Sequence, residues 1–535
     1  MKIFRTSIVA ALAMSATLAS AQAASSTVEE RLQKLEAEQT ALKQQQADMQ
    51  RELAERDARI KQLESQLQAK GPATPSAAAP AAAPTAAGSV TPPSAAAAPA
   101  AAAALPQAPS GARGVATGAP EQTQQVRGAP ERGRAPINET WGEFDPGNGF
   151  LVGRSDLGEL DISAYALVRY LDQNDSDGVF NDHLGNTRAV DARNDIFSHR
   201  IMVFFKGWLV DPKLIYNITL WTVNTTDQRA LFANLGYQFN RKFNLYAGLV
   251  GNPGSRSLLG SHPYWLGNDR VMADEFFRPY FGSGVYANGE VLPGLWYQAV
   301  VSNNNSSLGV KATQLDRKFT YGGSLWWMPT THEFGPRGGY GDWEWHEQLA
   351  TRFGISALVS PEQSFRSSTG GDPSNTTLRL ADSVNLFEAS ALAPGVTIEN
   401  ADYRVASIDA GIKYKGMFLQ AEYYQRRLDN FDADGALPVR EVKDTGFYVQ
   451  GSFFPIKQKL ELYAATSQIY GDSDAGFGDS SDYLVGMNWY PWPTRNHRLN
   501  LQLMDVNKSP VSSTFGYYTG GQDGWTLATA FSVFF

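Results

Sequence analysis

The connections between the strand-like segments constrain this chain more than the segments themselves do. From residue 159 onward, stretches of alternating apolar and polar side chains recur sixteen times: 159–171, 197–208, 213–224, 229–238, 242–251, 281–289, 294–303, 319–328, 349–359, 403–413, 418–428, 444–454, 460–470, 482–491, 497–507 and 523–535. Links after odd-numbered stretches are mostly long: 172–196, 252–280, 304–318, 360–402, 429–443, 471–481 and 508–522, with 225–228 the short exception. Links after even-numbered stretches are mostly short, built on DPK, NRK, VLPG, KYKG, PIKQK and PWPTR. The segment 329–348, PTTHEFGPRGGYGDWEWHEQ, breaks this rule and reads as a structured long turn.

Period-two alternation sends successive side chains to opposite faces of a strand. Leu214, Tyr216, Ile218 and Leu220 oppose Lys213, Asn217 and Thr219, and Leu499, Leu501 and Leu503 oppose Arg498, Asn500 and Gln502. A soluble sandwich shows the same alternation with its polar face in water. A transmembrane barrel inverts it, apolar toward lipid and polar toward a wet lumen. Loop lengths separate the two. A sandwich has no reason to gather its long loops at one end, whereas an outer-membrane barrel keeps short turns on the periplasmic rim and long loops outside. An even strand number also returns both chain ends to one rim. Trp208, Trp326, Trp327, Trp489, Trp492 and Trp525 lie near strand ends, where an aromatic girdle is expected. In the closing GWTLATAFSVFF, Trp525, Leu527, Thr529, Phe531, Val533 and Phe535 share one face. A last strand ending on Phe suits closure against the first, and resembles the terminal signal by which outer-membrane proteins are recognised for assembly. The fold expected for 141–535 is all-β, a sixteen-stranded antiparallel transmembrane β-barrel.

What precedes it is different. Residues 1–23 form a secretory signal, with Lys2 and Arg5 before an apolar stretch and Ala21-Gln22-Ala23 as the cleavage site. Within 24–70, Val28, Leu32, Leu35, Gln39, Leu42, Gln46, Met49, Leu53, Arg56, Ile60, Leu63 and Leu67 follow a strict 4,3 spacing. That is a helical coiled coil, a rod of roughly 60 Å that requires partner chains. Residues 71–140 are an Ala/Pro-rich linker continuing in Gly, Pro, Gln and Arg, too poor in large apolar groups to bury a core. A secreted barrel implies the outer membrane of a Gram-negative cell, with the coiled coil in the periplasm and peptidoglycan within its reach.

Composition narrows the chemistry. There is no cysteine, hence no disulfide, thiolate metal site or cysteine nucleophile. The formal charge is −8, and because residues before 141 sum to +2 the remainder carries −10, with no basic patch for nucleic acid. The acidic loops 172–182 and 470–482 miss the EF-hand pattern and read as solvated surface loops. His183, His199, His262, His332, His346 and His497 are scattered, and no triad, Walker loop or zinc motif assembles. No catalytic residue, cofactor or metal is expected.

The stretches FSHRIMVFFKGWLVDPKLIYNITLW, LGYQFNRKFNLYAGLVGNPGSRS, FRPYFGSGVYANG, GMFLQAEYYQRR, GFYVQGSFFPIKQKLELYAA and YLVGMNWYPW, in this order, make residues 159–535 resemble the phosphate-selective porin O and P family. The resemblance implies a homotrimer of sixteen-stranded porins in outer-membrane lipid, passing small ions and polar solutes passively. It also implies a third outer loop folded inward and lumenal Arg and Lys that favour phosphate. That loop would be 252–280, with Arg256, Arg270 and Arg278 beside Asp269, Asp274 and Glu275. By parity the lumen receives Arg169, Arg200, Lys206, Arg426 and Arg498, opposed by Asp161, Glu422 and Glu461. These positions form no continuous basic ladder. Two other readings stand beside the porin: a barrel that anchors the rod to the cell wall, and a barrel that sheathes a partner protein.

Overall fold

Sixteen antiparallel strands in the computed structural model hydrogen-bond in sequence order. They are β1 (Gly158–Gln173), β2 (Asn194–Leu209), β3 (Asp211–Val223), β4 (Gln228–Asn240), β5 (Phe243–Gly251), β6 (Phe281–Leu292), β7 (Leu295–Asn303), β8 (Phe319–Trp327), β9 (Ala350–Gln363), β10 (Ile398–Tyr414), β11 (Met417–Ala433), β12 (Glu441–Ile456), β13 (Leu460–Tyr470), β14 (Ser480–Trp489), β15 (His497–Asn507) and β16 (Gly524–Phe534). The structure describes residues 149–174, 177–223, 228–259, 264–305, 318–335, 339–364, 378–512 and 516–535. The signal, coiled coil and Ala/Pro linker read from the sequence lie outside these residues. β16 pairs with β1 from Thr526↔Gln173 to Phe534↔Tyr165, which closes the barrel and leaves no free edge among these strands. The terminal Phe535 exchanges both backbone hydrogen bonds with Ala164, at 3.1 and 3.3 Å. The chain end is therefore part of the seam.

The alternation is inverted relative to a soluble sheet. Along β15, Arg498, Asn500 and Gln502 are buried and Leu499, Leu501 and Leu503 exposed; along β11, Gln420, Glu422 and Arg426 are buried and Met417, Leu419 and Tyr423 exposed. Polar groups point in and apolar groups out, which is stable only with hydrocarbon outside. Among the described residues no helix is long and apolar enough to cross a membrane.

Short connections gather at one rim and long ones at the other, apart from the long link between Trp327 and Ala350 and the short one between Val223 and Gln228. Lys415 and Gly416, both at positive φ (48° and 81°), make the two-residue link between β10 and β11. A residue pair in this conformation matches the twist of the strands it joins. A short arm, Phe150–Ser155, pairs with β1 from Phe150↔Ile162 to Ser155↔Gly158 and occupies the place beside β1 that β16 vacates below Tyr165. Phe150 packs on Phe535 with ring centroids 4.9 Å apart.

One expectation needs correction. Trp208 and Trp326 are buried on the inner face, whereas Trp327, Trp489, Trp492 and Trp525 face outward. Adjacent strand residues cannot share a face, so of Trp326 and Trp327 only one can join a girdle. The described residues of the acidic loop 172–182 are mostly exposed or half-buried, as expected of a surface loop, with its last residue anchored. Asp182 is buried and accepts from Asn186 N (2.8 Å), Leu184 N (3.1 Å) and Arg188 Nε (2.9 Å) beside a two-stranded hairpin, Val179–Asn181 with Thr187–Ala189.

Candidate pore and constriction

The described parts of loop 3, 252–259 and 264–280, fold into the barrel rather than over it. The loop carries a 3-10 turn at Arg256–Leu259 and one short helix, α1 (Met272–Phe277), whose six residues are all buried. Its docking is polar and specific. Arg498 on β15 grips the loop backbone, donating to the carbonyl oxygens of Trp265 (2.5 Å) and Gly267 (2.9 Å) and to Asn268 Oδ1 (3.2 Å). Asn488 on β14 donates to Leu266 O (2.9 Å), and Tyr403 on β10 to Phe277 O (2.5 Å). Trp265, Leu266 and Gly267 lie outside any helix or strand and Phe277 ends α1, so inner-face donors complete the hydrogen bonding of their carbonyls.

The arginines singled out from the sequence all face this interior. Arg200 pairs with Asp269 at 3.1 Å, Arg278 with Glu275 at 2.8 Å, Arg426 with Asp444 at 2.6 Å, and Arg270 stands 3.6 Å from Asp274. Lys206, half-buried, is the direct cross-strand partner of Asp161. Arg169 donates to Gly516 O (2.9 Å) and lies between the rings of Phe197 and Tyr517. Arg256 sits over the Tyr340 ring at 4.2 Å, with Asp409 at 3.9 Å; its backbone N–H donates to Glu422 Oε1 at 3.0 Å. Glu461 accepts from Asn488 and from Tyr490. Burial, then the neighbouring Arg278, pushes the Arg270 pKa down to about 10, so it remains charged at neutral pH. Each named cation thus meets a carboxylate, carbonyls or an aromatic face.

The sequence did not reveal the second intrusion. The long turn between β8 and β9 folds inward from the short-turn rim and meets loop 3: Tyr340 N donates to Tyr264 O at 2.7 Å. Arg256 is the contact point, between Tyr340 and, at 5.7 Å, Phe334. His346 fastens the turn. Its Nδ1 meets Asp342, its Nε2 meets Glu333 at 2.8 Å, and Asp342 also accepts from Gly416 N at 2.7 Å, tying the turn to the β10–β11 link. The spacing D-x-E-x-H was the available signal. Asp342, Glu344 and His346 place their ligand atoms within 4.8 Å of one another. Both imidazole nitrogens are already committed to carboxylates, however, which makes this an ion-pair clamp as it stands.

Burial alone would lower the His346 pKa, but the hydrogen bonds and charges of Asp342 and Glu333 outweigh it and raise it to about 9. Asp342 and Glu333 are correspondingly held below their ordinary values despite burial. The histidine's stabilising share is complete below about pH 6.5 and fades as pH rises through about 9; the carboxylates' share is lost in acid. The thermal midpoint of the folded barrel is expected to fall as pH is raised from 6.5 to above 9. Most of that fall should vanish in His346→Gln; an equal fall in both proteins would show that the clamp contributes nothing.

Residues 368–514 match the family of phosphate-selective porin O and P. The match spans six of the sixteen strands, β10 to β15, which supply Tyr403, Asn488 and Arg498 to loop 3. Among solved structures, the chain is similar to OmpT of Vibrio cholerae (12% identity over 72% of this chain and 99% of that one, TM-score 0.43). It is also similar to an anion-selective porin from Comamonas acidovorans (10%, 71% and 100%, TM-score 0.41) and to the outer-membrane channel DcaP of Acinetobacter baumannii (10%, 72% and 99%, TM-score 0.40). No curated protein matched the sequence.

Proposed function

We propose that this chain is an outer-membrane porin through which ions and small polar solutes diffuse passively. The observation that carries the reading is the inverted alternation of a closed barrel, with Arg498, Asn500 and Gln502 lining its interior and Leu499, Leu501 and Leu503 facing outward. The porin match over 368–514 supports it. Loop 3 is the constriction, met by the long turn at Arg256. The inner-face arginines are closed on Asp269, Asp274, Glu275 and Asp444, which favours weak ion selectivity over a strong phosphate filter. The homotrimer, the periplasmic coiled coil and its reach to peptidoglycan are parts of this proposal that rest on the heptads of 24–70. Among the described residues nothing supports a barrel that serves only as a tether.

Purified protein in a planar bilayer tests the reading. Stepwise conductance is expected, with a reversal potential well under half of the ~59 mV that perfect selectivity gives across a tenfold KCl gradient. A chloride-leaning reversal with block by added phosphate would instead make the arginines an anion filter. Folded, heat-modifiable barrels without conductance would overturn the channel.

A further inference from the structure

The two acidic loops, 172–182 and 470–482, meet on the long-loop rim. With residues 381–382 and parts of 508–523 they line a cavity of about 550 Å³. Small-molecule sites have volumes of about 300–1,000 Å³. No residue of loop 3 contributes to this one. Five carboxylates line it, Asp177, Asp182, Asp382, Asp479 and Asp523, against one lysine, Lys508. Asp182 is closed on Arg188, and Asp382 on His183. Asp177 and Asp479 are exposed and have no ion-pair partner among the described residues.

The lining turns its donors away and leaves its acceptors open. Ser480 Oγ donates to Lys508 O at 2.6 Å, and Ser509 Oγ to Val511 O at 2.9 Å, so both hydroxyl hydrogens are committed to backbone. Of the described lining side chains, Lys508 and the Asn181 amide remain as donors. His183 is fixed by Asp382, which accepts from its backbone N at 3.0 Å and meets its Nδ1 at 2.6 Å. The neutral ring then carries its hydrogen on Nδ1, and Nε2 is an acceptor. The His183 side chain lines the cavity and is only 6% exposed, and among the described residues Nε2 has no partner. A buried acceptor of this kind calls for a donor from outside the protein.

We propose that this cavity is an outward-facing binding site for an alkyl polyamine, separate from the pore. Its carboxylates and the Nε2 of His183 accept from ammonium groups, while Val179, Phe180 and Ala381 offer apolar wall to the methylenes between them. Phe180 packs against Gly521, at φ 76°, where a Cβ would come within 2.0 Å of the ring. An aromatic ring also attracts a cation that approaches its face. A single metal ion suits the cavity less well, because its acids do not converge. Among the described residues, the group of three such ligands within 4.8 Å of one another is Asp342, Glu344 and His346, in the β8–β9 turn. An anion would face five carboxylates. The outward orientation rests on the outer-membrane reading; the recognition of amines does not.

Isothermal titration of the full-length protein in detergent tests this, with spermidine as the probe and neutral triethylene glycol and calcium chloride as comparisons. Saturable binding of spermidine is expected, and none of triethylene glycol. Asp177→Asn with Asp479→Asn, at two exposed positions, should weaken spermidine by about fivefold or more. Lys508→Gln removes the opposing charge and should tighten it by about twofold or more. Should the double variant fail to fold, the lysine variant decides alone. Spermidine binding that is absent in the wild type, or unchanged in either folded variant, would overturn the site. So would calcium that binds as tightly as spermidine and displaces it completely, the behaviour of an acidic surface that gathers counter-ions only. KCl conductance in a planar bilayer is read on the same preparation. A conducting protein that does not bind spermidine loses the site and keeps the channel, and a binding protein without conductance loses the channel and keeps the site.

Discussion

Replacing Arg498 by alanine is expected to release loop 3 and widen the pore. The guanidinium satisfies two carbonyl oxygens and one side-chain oxygen of residues that have no regular secondary structure to do so. Hydrogen bonds to a charged group contribute about 1.5–3 kcal/mol each, and the three share one donor group, so a loss of roughly 3–5 kcal/mol is expected. That is enough to populate loop conformations away from the wall. Single-channel conductance should rise and become noisier, and the urea midpoint in detergent should drop. Arg498→Lys keeps the charge but loses the planar fork, and should fall between the two. An alanine variant with wild-type conductance and noise would show that the remaining contacts of loop 3, Asn488, Tyr403 and Arg200 among them, hold it without Arg498.

The second large effect is expected at Arg426 and Asp444. This pair is fully buried, with Nη2 and Nε of the arginine 2.6 and 3.0 Å from one carboxylate oxygen. The guanidinium also covers the Phe276 ring of α1 at 3.9 Å and donates to Arg379 O. Arg426→Met leaves a buried carboxylate without its counter-charge, at a cost of about 3–5 kcal/mol. Pairing it with Asp444→Leu removes the stranded charge, and most of the loss should be recovered because the salt bridge itself is weakly stabilising against its desolvation. Equilibrium unfolding of the two single variants and the double variant measures the coupling. A double variant as unstable as Arg426→Met would mean that the arginine acts through Phe276 and Arg379 rather than through Asp444.

Much of the barrel was legible because two local rules sufficed. Alternation set the face of each residue, and loop length set the rim. β13 and β15 run over the residues expected, and Arg169, Arg200, Lys206, Arg426 and Arg498 point inward as parity requires. The remainder depends on contacts between residues far apart in the chain, which no local rule reports. Arg498 meets residues more than two hundred positions away, and Arg426 and Asp444 are brought face to face by the register of β11 with β12. The same limit hid the inward fold of the long turn. Its Gly-rich sequence announced an irregular segment, but only the three-dimensional meeting of Tyr340 with Arg256 and of His346 with Glu333 shows what it holds.

The arm Phe150–Ser155 carries a mechanical implication. It runs antiparallel to β1 and turns back at the short-turn rim, so Phe150 lies farther from that rim than Ser155 does. Tension drawing Gly149 toward the rim would load the arm's hydrogen bonds one after another from the Phe150 end, as in unzipping, instead of all together as in shear. The β16–β1 seam would bear none of it until the arm had peeled away. Six residues at about 3.3 Å each would then pay out some 20 Å of slack, a compliant leader between a rigid cylinder and whatever its upstream chain is fastened to.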